Sequence, residues 1–105
     1  MSNPEKRKEL DNILLNLIGN GKVYFQPPKN TKIEYPCIIY HLVNGDSVFA
    51  DDKSYMFNRR YEIQYITKNP DDVMIDKIAI ELPKTIMTNQ YTVEGLYHNV
   101  YNTYY

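Results

Sequence analysis

Between residues 55 and 67, apolar and polar side chains alternate with a period of two. One set of positions is apolar and mostly aromatic: Tyr55, Phe57, Tyr61, Ile63 and Tyr65. The positions between them are mainly polar: Met56, Asn58, Arg60, Glu62 and Gln64. Because successive side chains of a β-strand point to opposite faces, this alternation predicts a long strand with one buried face. The chain must therefore form a sheet and a layer that covers it.

Two amphipathic segments are predicted to form that covering layer. Asn3 and Pro4 are typical of a helix N-cap and first helical position, and residues 19–21 (Gly-Asn-Gly) tolerate the positive φ of a helix end. A second helix start is predicted at residues 69–72 (Asn-Pro-Asp-Asp), with the helix ending at Pro83. The apolar stripe of the first helix consists of Leu10, Ile13, Leu14, Leu17 and Ile18, and that of the second consists of Ile75, Ile78, Ala79 and Leu82.

The remaining segments are β-prone. Residues 23–25, stopped by Pro27 and Pro28, are predicted to form an edge strand or a fixed loop, and a central strand is expected to start near Pro36. Residues 44–45 (Asn-Gly) are typical of a tight hairpin turn, so residues 46–50 are expected to pair back. Further β-prone runs cover residues 85–88 and 91–93, and a last strand covers 96 to about 104. Its tyrosines also fit a helical stripe, but the Val, Thr and Tyr content favours a strand.

This order of elements predicts a single α+β domain over residues 1–105. Two helices would pack on a mainly antiparallel β-sheet, and a β-hairpin would protrude from it. Hydrophobic residues make up 43% and charged residues 24% of the chain, which argues against a disordered protein. No apolar run approaches the length of a membrane span, and the first residues lack the apolar core of a secretory signal. We therefore expect a soluble protein with no membrane partner.

No motif in the sequence carries a catalytic mechanism. Cys37 and His41 point to the same face of a predicted strand, but lie about 13 Å apart along it, and a nucleophile and its base need about 3 Å. Turn and helix-start preferences explain the acidic doublets at 51–52 and 71–72. We predict no enzymatic activity and no catalytic, cofactor-binding or metal-binding residues. An enzyme would instead bring His41 or His98 to an acid or to Cys37 in a pocket.

The charge balance argues against nucleic acid as a direct partner. Lys and Arg number 12 against 13 Asp and Glu, and no stretch clusters basic residues. Arg59 and Arg60 lie among aromatic residues, as in a single-strand-binding face, but Arg60 points away from Tyr61 and acidic neighbours reduce the local positive field. A small nucleic-acid-binding regulator is kept as the alternative from a different class.

The eleven tyrosines are the first indication of an interaction surface, since tyrosine combines an apolar ring with a hydrogen-bonding tip. The loop over residues 44–54 carries two apolar residues that either cap the core or form an arm to a neighbouring subunit. The hairpin or the C-terminal strand is expected to add to a neighbouring sheet. The candidate inter-subunit or partner contacts are Val48, Phe49, Arg59, Arg60, Tyr97 and Tyr101.

Four stretches of the sequence carry a resemblance to known proteins. These stretches are Val23-Tyr24-Phe25-Gln26-Pro27-Pro28, Tyr35-Pro36-Cys37-Ile38-Ile39-Tyr40, Arg59-Arg60-Tyr61-Glu62-Ile63 and Tyr91-Thr92-Val93-Glu94-Gly95-Leu96-Tyr97-His98-Asn99-Val100-Tyr101. Together they resemble small virion proteins of phages and prophages of Gram-positive bacteria, namely the tail-terminator and tail-completion, or head-tail joining, group. The resemblance spans nearly the whole chain.

The resemblance implies a small α+β sandwich that forms a hexameric ring, caps the tail tube and joins it to the head connector, without catalysis. The implied partners are further copies of the chain, the tail tube protein and the connector or adaptor protein. The implied location is the tail or neck of the virion, after assembly in the host cytoplasm. A neck or connector adaptor ring on the portal side is a close alternative that the sequence does not separate from it.

Overall fold

The computed structural model describes residues 4–43 and 59–105. In this part of the chain two helices pack on one face of a five-stranded sheet, which confirms the predicted α+β class. The helices are α1 (Pro4–Ile18) and α2 (Met74–Glu81). The strands are β1 (Val23–Phe25), β2 (Cys37–Leu42), β3 (Arg60–Thr67), β4 (Thr85–Val93) and β5 (Leu96–Tyr104).

The strands lie in the order β1-β2-β3-β5-β4. Only the β1–β2 pair among these strands is parallel, and the other pairs are antiparallel. The short strand β1 is an edge strand, as expected, and β4 is the opposite edge. The C-terminal strand β5 is flanked by β3 and β4, so the expectation that it offers unpaired backbone to a neighbouring sheet is wrong.

The core lies between the helices and the odd-numbered face of β3. Tyr61, Ile63 and Tyr65 are at most 4% exposed there, which confirms the predicted alternation for the described half of that strand. Leu14 of α1 and Ile78 of α2 are fully buried in the same cluster. Arg60, Glu62 and Gln64 point to the other side of the sheet, called here the outer face. Neither helix in the described ranges is long and apolar enough to cross a membrane.

The structure confirms the predicted end of α1, but α2 begins later than predicted. Gly19 and Gly21 adopt φ of +75° and +76° after α1, as predicted. Helix α2 begins at Met74 and not directly after Asn69, whose Oδ1 instead accepts the Asp71 N–H at 2.9 Å within a turn. The Met74 N–H donates to Asp72 Oδ1 at 3.0 Å, so Asp72 supplies the acceptor that Asn69 was expected to supply.

The two β-prone runs after α2 form one continuous strand, β4, with an irregularity between Met87 and Asn89. The segment from 96 to 104 is a strand and not a helix, as predicted. Several predicted features lie outside the described residues. They are the Asn3 N-cap, the Asn44-Gly45 turn and the hairpin after it, the first part of the long strand at 55–58, and the candidate contacts Val48 and Phe49.

Candidate interaction surface

The edge strand β4 is the most accessible strand of the described sheet. Its nine residues include no charged residue, proline or glycine, and every residue from Thr88 to Val93 is exposed. Sheet edges are usually guarded by charges, by proline or by shortness. The opposite edge is guarded in this way, because β1 has three residues and is followed by Gln26 at a φ of +46° and by Pro27. Strand β4 carries one bulge and is otherwise unguarded.

The bulge at Thr88 divides β4 into two parts. Met87 pairs with Tyr101 and Asn89 with Val100, so Thr88 is the extra residue, and its Oγ1 donates to Val100 O at 3.3 Å. After the bulge the Gln90 N–H donates to Asn89 Oδ1 at 2.9 Å. Since backbone groups alternate in direction along an antiparallel strand, the N–H and C=O groups of Gln90 and Thr92 point away from β5. They point to where another strand would pair, although the Gln90 N–H would first have to leave Asn89 Oδ1.

A cluster of three side chains lies on the outer face beside this edge. The rings of Tyr91 and His98 stack at a centroid distance of 4.7 Å and an interplanar angle of 8°. His98 Nδ1 lies 3.3 Å from Gln64 Oε1, and the Tyr91 hydroxyl donates to the same oxygen at 3.5 Å. Burial lowers the pKa of His98, so the imidazole is neutral at physiological pH. The cluster is an uncharged aromatic platform at the edge of the sheet.

The outer face also carries Cys37 and His41, the pair considered for catalysis. They face the same side of β2, in register with Ile66 and Glu62 respectively. Cys37 is fully buried, and burial raises the pKa of its thiol to about 12. His41 Nε2 lies 3.8 Å from Glu62 Oε1. Because a nucleophilic cysteine needs its thiolate form, Cys37 is not activated by this arrangement.

The described residues offer no metal cluster but do form a shallow cavity beside β4. Within residues 4–43 and 59–105, no three His, Cys, Asp or Glu side chains lie close enough to hold a metal ion. A shallow cavity of about 410 Å³ borders β4 on the outer face. Ile86 is 68% exposed there, which gives this cavity an apolar side chain at its mouth. The cavity is lined by Lys84, Thr85, Ile86, Thr88, Asn102 and Tyr104.

Among the described residues, the structure does not bring the predicted contacts Arg59 and Arg60 together with Tyr97. Arg60 pairs with Tyr104 and Tyr97 with Thr67, which places them at opposite ends of β3. The Arg59 N–H donates to Tyr105 O at 3.1 Å, beside Arg60. Arg59, Arg60 and Tyr97 are all partly exposed.

Tyr101 is the predicted contact that the structure contradicts. Its side chain is 0% exposed and its hydroxyl donates to Ile75 O at 2.6 Å. It is a core residue that connects β5 to α2, because the odd-numbered positions of β5 face the helices. It is not available to a partner.

Other tyrosines also join the sheet to the helix layer. The hydroxyls of Tyr40 and Tyr105 donate to Asp11 and Glu9 of α1 at 2.7 and 2.8 Å. Burial raises the pKa of Tyr40, and the hydrogen bond to Asp11 raises it further. Much of the tyrosine excess therefore serves internal bonding. Sequence reasoning missed β4 as the accessible edge, although the absence of charge from 85 to 93 was a signal for it.

Comparison with models of protein families, with curated proteins and with solved structures returns no significant match for this chain.

Proposed function

We propose that this chain is a structural subunit of a tailed bacteriophage that assembles as a ring at the head-tail junction. The ring caps the tail tube and joins it to the connector, and the subunit acts as a scaffold, not as an enzyme. The resemblance of four sequence stretches to tail-terminator and tail-completion proteins motivates the proposal. The observation that carries it is the unguarded edge strand β4. The unpaired backbone groups of such a strand can pair with a neighbouring subunit.

A closed ring needs two different surfaces on each subunit, one for each neighbour. The β4 edge and the adjoining outer face supply one uncharged surface. A second lies on the helix layer, where Val73 and Ile80 are 80% and 78% exposed. Exposed aliphatic side chains of this kind are common at subunit contacts. The two surfaces lie on different layers of the domain, as heterologous contact requires.

The test is the mass and shape of the purified protein, alone and mixed with the tail tube protein from the same genome. With the tube protein present, light scattering and negative-stain imaging are expected to show rings or tubes with capped ends. Ile80→Asp is expected to reduce ring formation because it charges the helix-layer surface. Asn30→Asp, at an exposed position in the loop after β1, is the matched control, because it adds one acid away from both surfaces.

Failure to form rings and failure to bind tube ends would together contradict the proposal. Binding to the connector and not to the tube would favour the adaptor ring on the portal side. Binding to polynucleotide with a steep salt dependence would favour the nucleic-acid-binding regulator.

A further inference from the structure

We infer that the free subunit pairs with a second copy of itself through β4, with residues 89–93 of the two copies antiparallel about a two-fold axis at Tyr91. This pairing concerns the protein before any assembly, so it does not depend on the proposed ring. It follows from the charge, the backbone direction and the side chains of the edge strand.

The absence of charge along β4 makes the strand complementary to itself. In a symmetric antiparallel pair each residue lies near its own counterpart or that of a close neighbour, so a charged strand would repel its copy. Strand β4 has no charged residue among its nine. The other edge, β1, has three residues followed by Gln26 and Pro27, and offers too short a ladder to compete.

The backbone selects the register. Gln90 and Thr92 are the positions after the bulge whose N–H and C=O groups point outward. An axis at Tyr91 places Gln90 opposite Thr92 of the second copy, so that each donates its N–H to the other's C=O. The Gln90 N–H then exchanges Asn89 Oδ1, its present acceptor, for a backbone carbonyl. The bulge at Thr88 ends the regular stretch on one side, and the turn at Glu94 and Gly95 ends it on the other.

The side chains in this register are compatible with burial. On the outer face, Tyr91 lies beside Tyr91 of the second copy, and Val93 lies opposite Asn89. Tyr91 and Val93 are 40% and 47% exposed in the single subunit, so pairing covers apolar surface. On the helix side, the Gln90 side-chain amide already donates to Asn99 Oδ1 at 2.9 Å, so one of its hydrogen bonds is made within the subunit.

The pairing would cover the accessible edge of each free subunit. A strand left open in this way is a template for irregular association with other sheets. The symmetric pair would prevent that association until a higher-affinity partner takes the edge.

Disulfide trapping tests the register directly. At the axis, the two residues at position 91 form a non-hydrogen-bonded pair with Cα atoms about 4.5 Å apart, within the range of a disulfide. In a Cys37→Ser background, Tyr91→Cys is expected to give a covalent dimer under mild oxidation. Ile86→Cys is the control, because Ile86 is exposed on the same face of β4 but lies before the bulge, away from the axis. Equal trapping at both positions, or none at position 91, would overturn the register.

Light scattering tests the pair without cysteine. The wild-type protein, without any tube protein, is expected to reach dimer mass as its concentration rises. Tyr91→Lys places two like charges at the axis and is expected to raise the dissociation constant at least about tenfold, which corresponds to about 1.4 kcal/mol. Thr92→Pro removes an outward N–H and is expected to act in the same direction while β4 stays paired to β5.

Circular dichroism checks that both variants fold. A wild-type protein that stays monomeric at its solubility limit would refute the pairing. So would a dimer that both substitutions leave intact. Either outcome leaves the proposed ring untouched, because ring formation is scored separately with the tube protein present.

Discussion

The phenol of Tyr65 donates a hydrogen bond to Asp72 Oδ2 at 2.6 Å, which ties β3 to the turn two residues before the first residue of α2. Thr67 Oγ1 donates to the same oxygen at 2.9 Å, and the Met74 N–H donates to Oδ1 at 3.0 Å. One partly buried carboxylate therefore fixes the start of the helix to the sheet. Bonds to a charged acceptor are among the stronger hydrogen bonds in proteins.

Tyr65→Phe is expected to lower the free energy of unfolding by about 1.5–3 kcal/mol, since it removes a hydrogen bond to a charged group and leaves the ring in place. Urea unfolding followed by circular dichroism measures the change. Tyr91→Phe is the matched control, because the Tyr91 hydroxyl lies 3.5 Å from its acceptor on an exposed residue. Its cost is expected to stay below about 0.5 kcal/mol. Equal effects in the two variants would show that the Tyr65 hydroxyl contributes nothing specific.

The same carboxylate predicts a loss of stability in acid. Burial alone would raise the pKa of Asp72, but hydrogen bonds from Tyr65, Met74 and Thr67 outweigh burial and lower the pKa below its ordinary value. The folded pKa lies below the unfolded one, so the carboxylate contributes its full stability above the unfolded pKa of about 3.9. That contribution is lost as the pH falls through the folded pKa.

Urea unfolding at a series of pH values between about 6 and 2 is the measurement. Asp72→Asn is expected to be less stable than wild type at the upper end and to lose less stability on acidification. Parallel curves for the two proteins would assign the acid sensitivity to other carboxylates.

Two isoleucines of α2 differ in burial, so their substitutions are expected to differ in their effect on stability. Ile78 is 0% exposed and packs in the core, whereas Ile80, two residues later, is 78% exposed. Ile78→Ala is expected to cost about 2–5 kcal/mol, because it removes buried methyl groups and leaves a cavity. Ile80→Ala is expected to change stability by less than about 0.5 kcal/mol in the single subunit. A comparable loss at both positions would mean that Ile80 is covered in the measured protein.

The local elements of this fold could be predicted because their signals are periodic. The alternation through Tyr61, Ile63 and Tyr65 identified the buried face of β3, and the helical spacing of Leu10 and Leu14 identified the buried side of α1. Both patterns depend only on which way neighbouring side chains point. The sequence predicts too early a start for α2, because an Asn side chain accepts a backbone N–H in the same way at a helix start and in a turn.

The order of the strands was not predictable in the same way. The last strand was expected to be available at an edge, but β5 lies between β3 and β4. Strand order depends on which distant segments pair, and no local pattern encodes that. In the structure, consecutive Val100 and Tyr101 are both at most 7% exposed, as in a strand covered on both faces. Because Tyr101 is buried in this strand, the expectation that it contacts a partner is wrong.

Cys37 is expected to be inert in the folded protein. Its side chain is fully buried, and burial raises the pKa of the thiol to about 12, so almost no thiolate forms near neutral pH. Ellman's reagent at about pH 8 is expected to report no fast-reacting thiol in the wild-type protein and one thiol in denaturant. An Ile86→Cys variant supplies an exposed thiol as the positive control, because Ile86 is 68% exposed. Rapid labelling of the folded wild type would show that the outer face opens at Cys37.

The pKa of His98 reports whether Tyr91 covers the imidazole ring at the β4 edge. Burial beneath Tyr91 lowers the pKa of its imidazole below the ordinary value of 6.5. Because the folded pKa lies below the unfolded one, the unfolded chain binds more protons between the two values. The stability contributed by the neutral ring is therefore complete above about pH 6.5 and is lost as the pH falls through the folded pKa.

Proton NMR of the imidazole ring, recorded across the acidic range, measures this pKa in the folded protein. The unfolded chain in urea supplies the reference value. Tyr91→Ala removes the ring that covers His98 and is expected to move the pKa back toward 6.5, because water regains access to the charged form. Gln90→Ala, on the other side of the same strand, is expected to leave the pKa unchanged. A wild-type pKa at or above 6.5, or one that Tyr91→Ala does not shift, would mean that the Tyr91 ring does not desolvate His98.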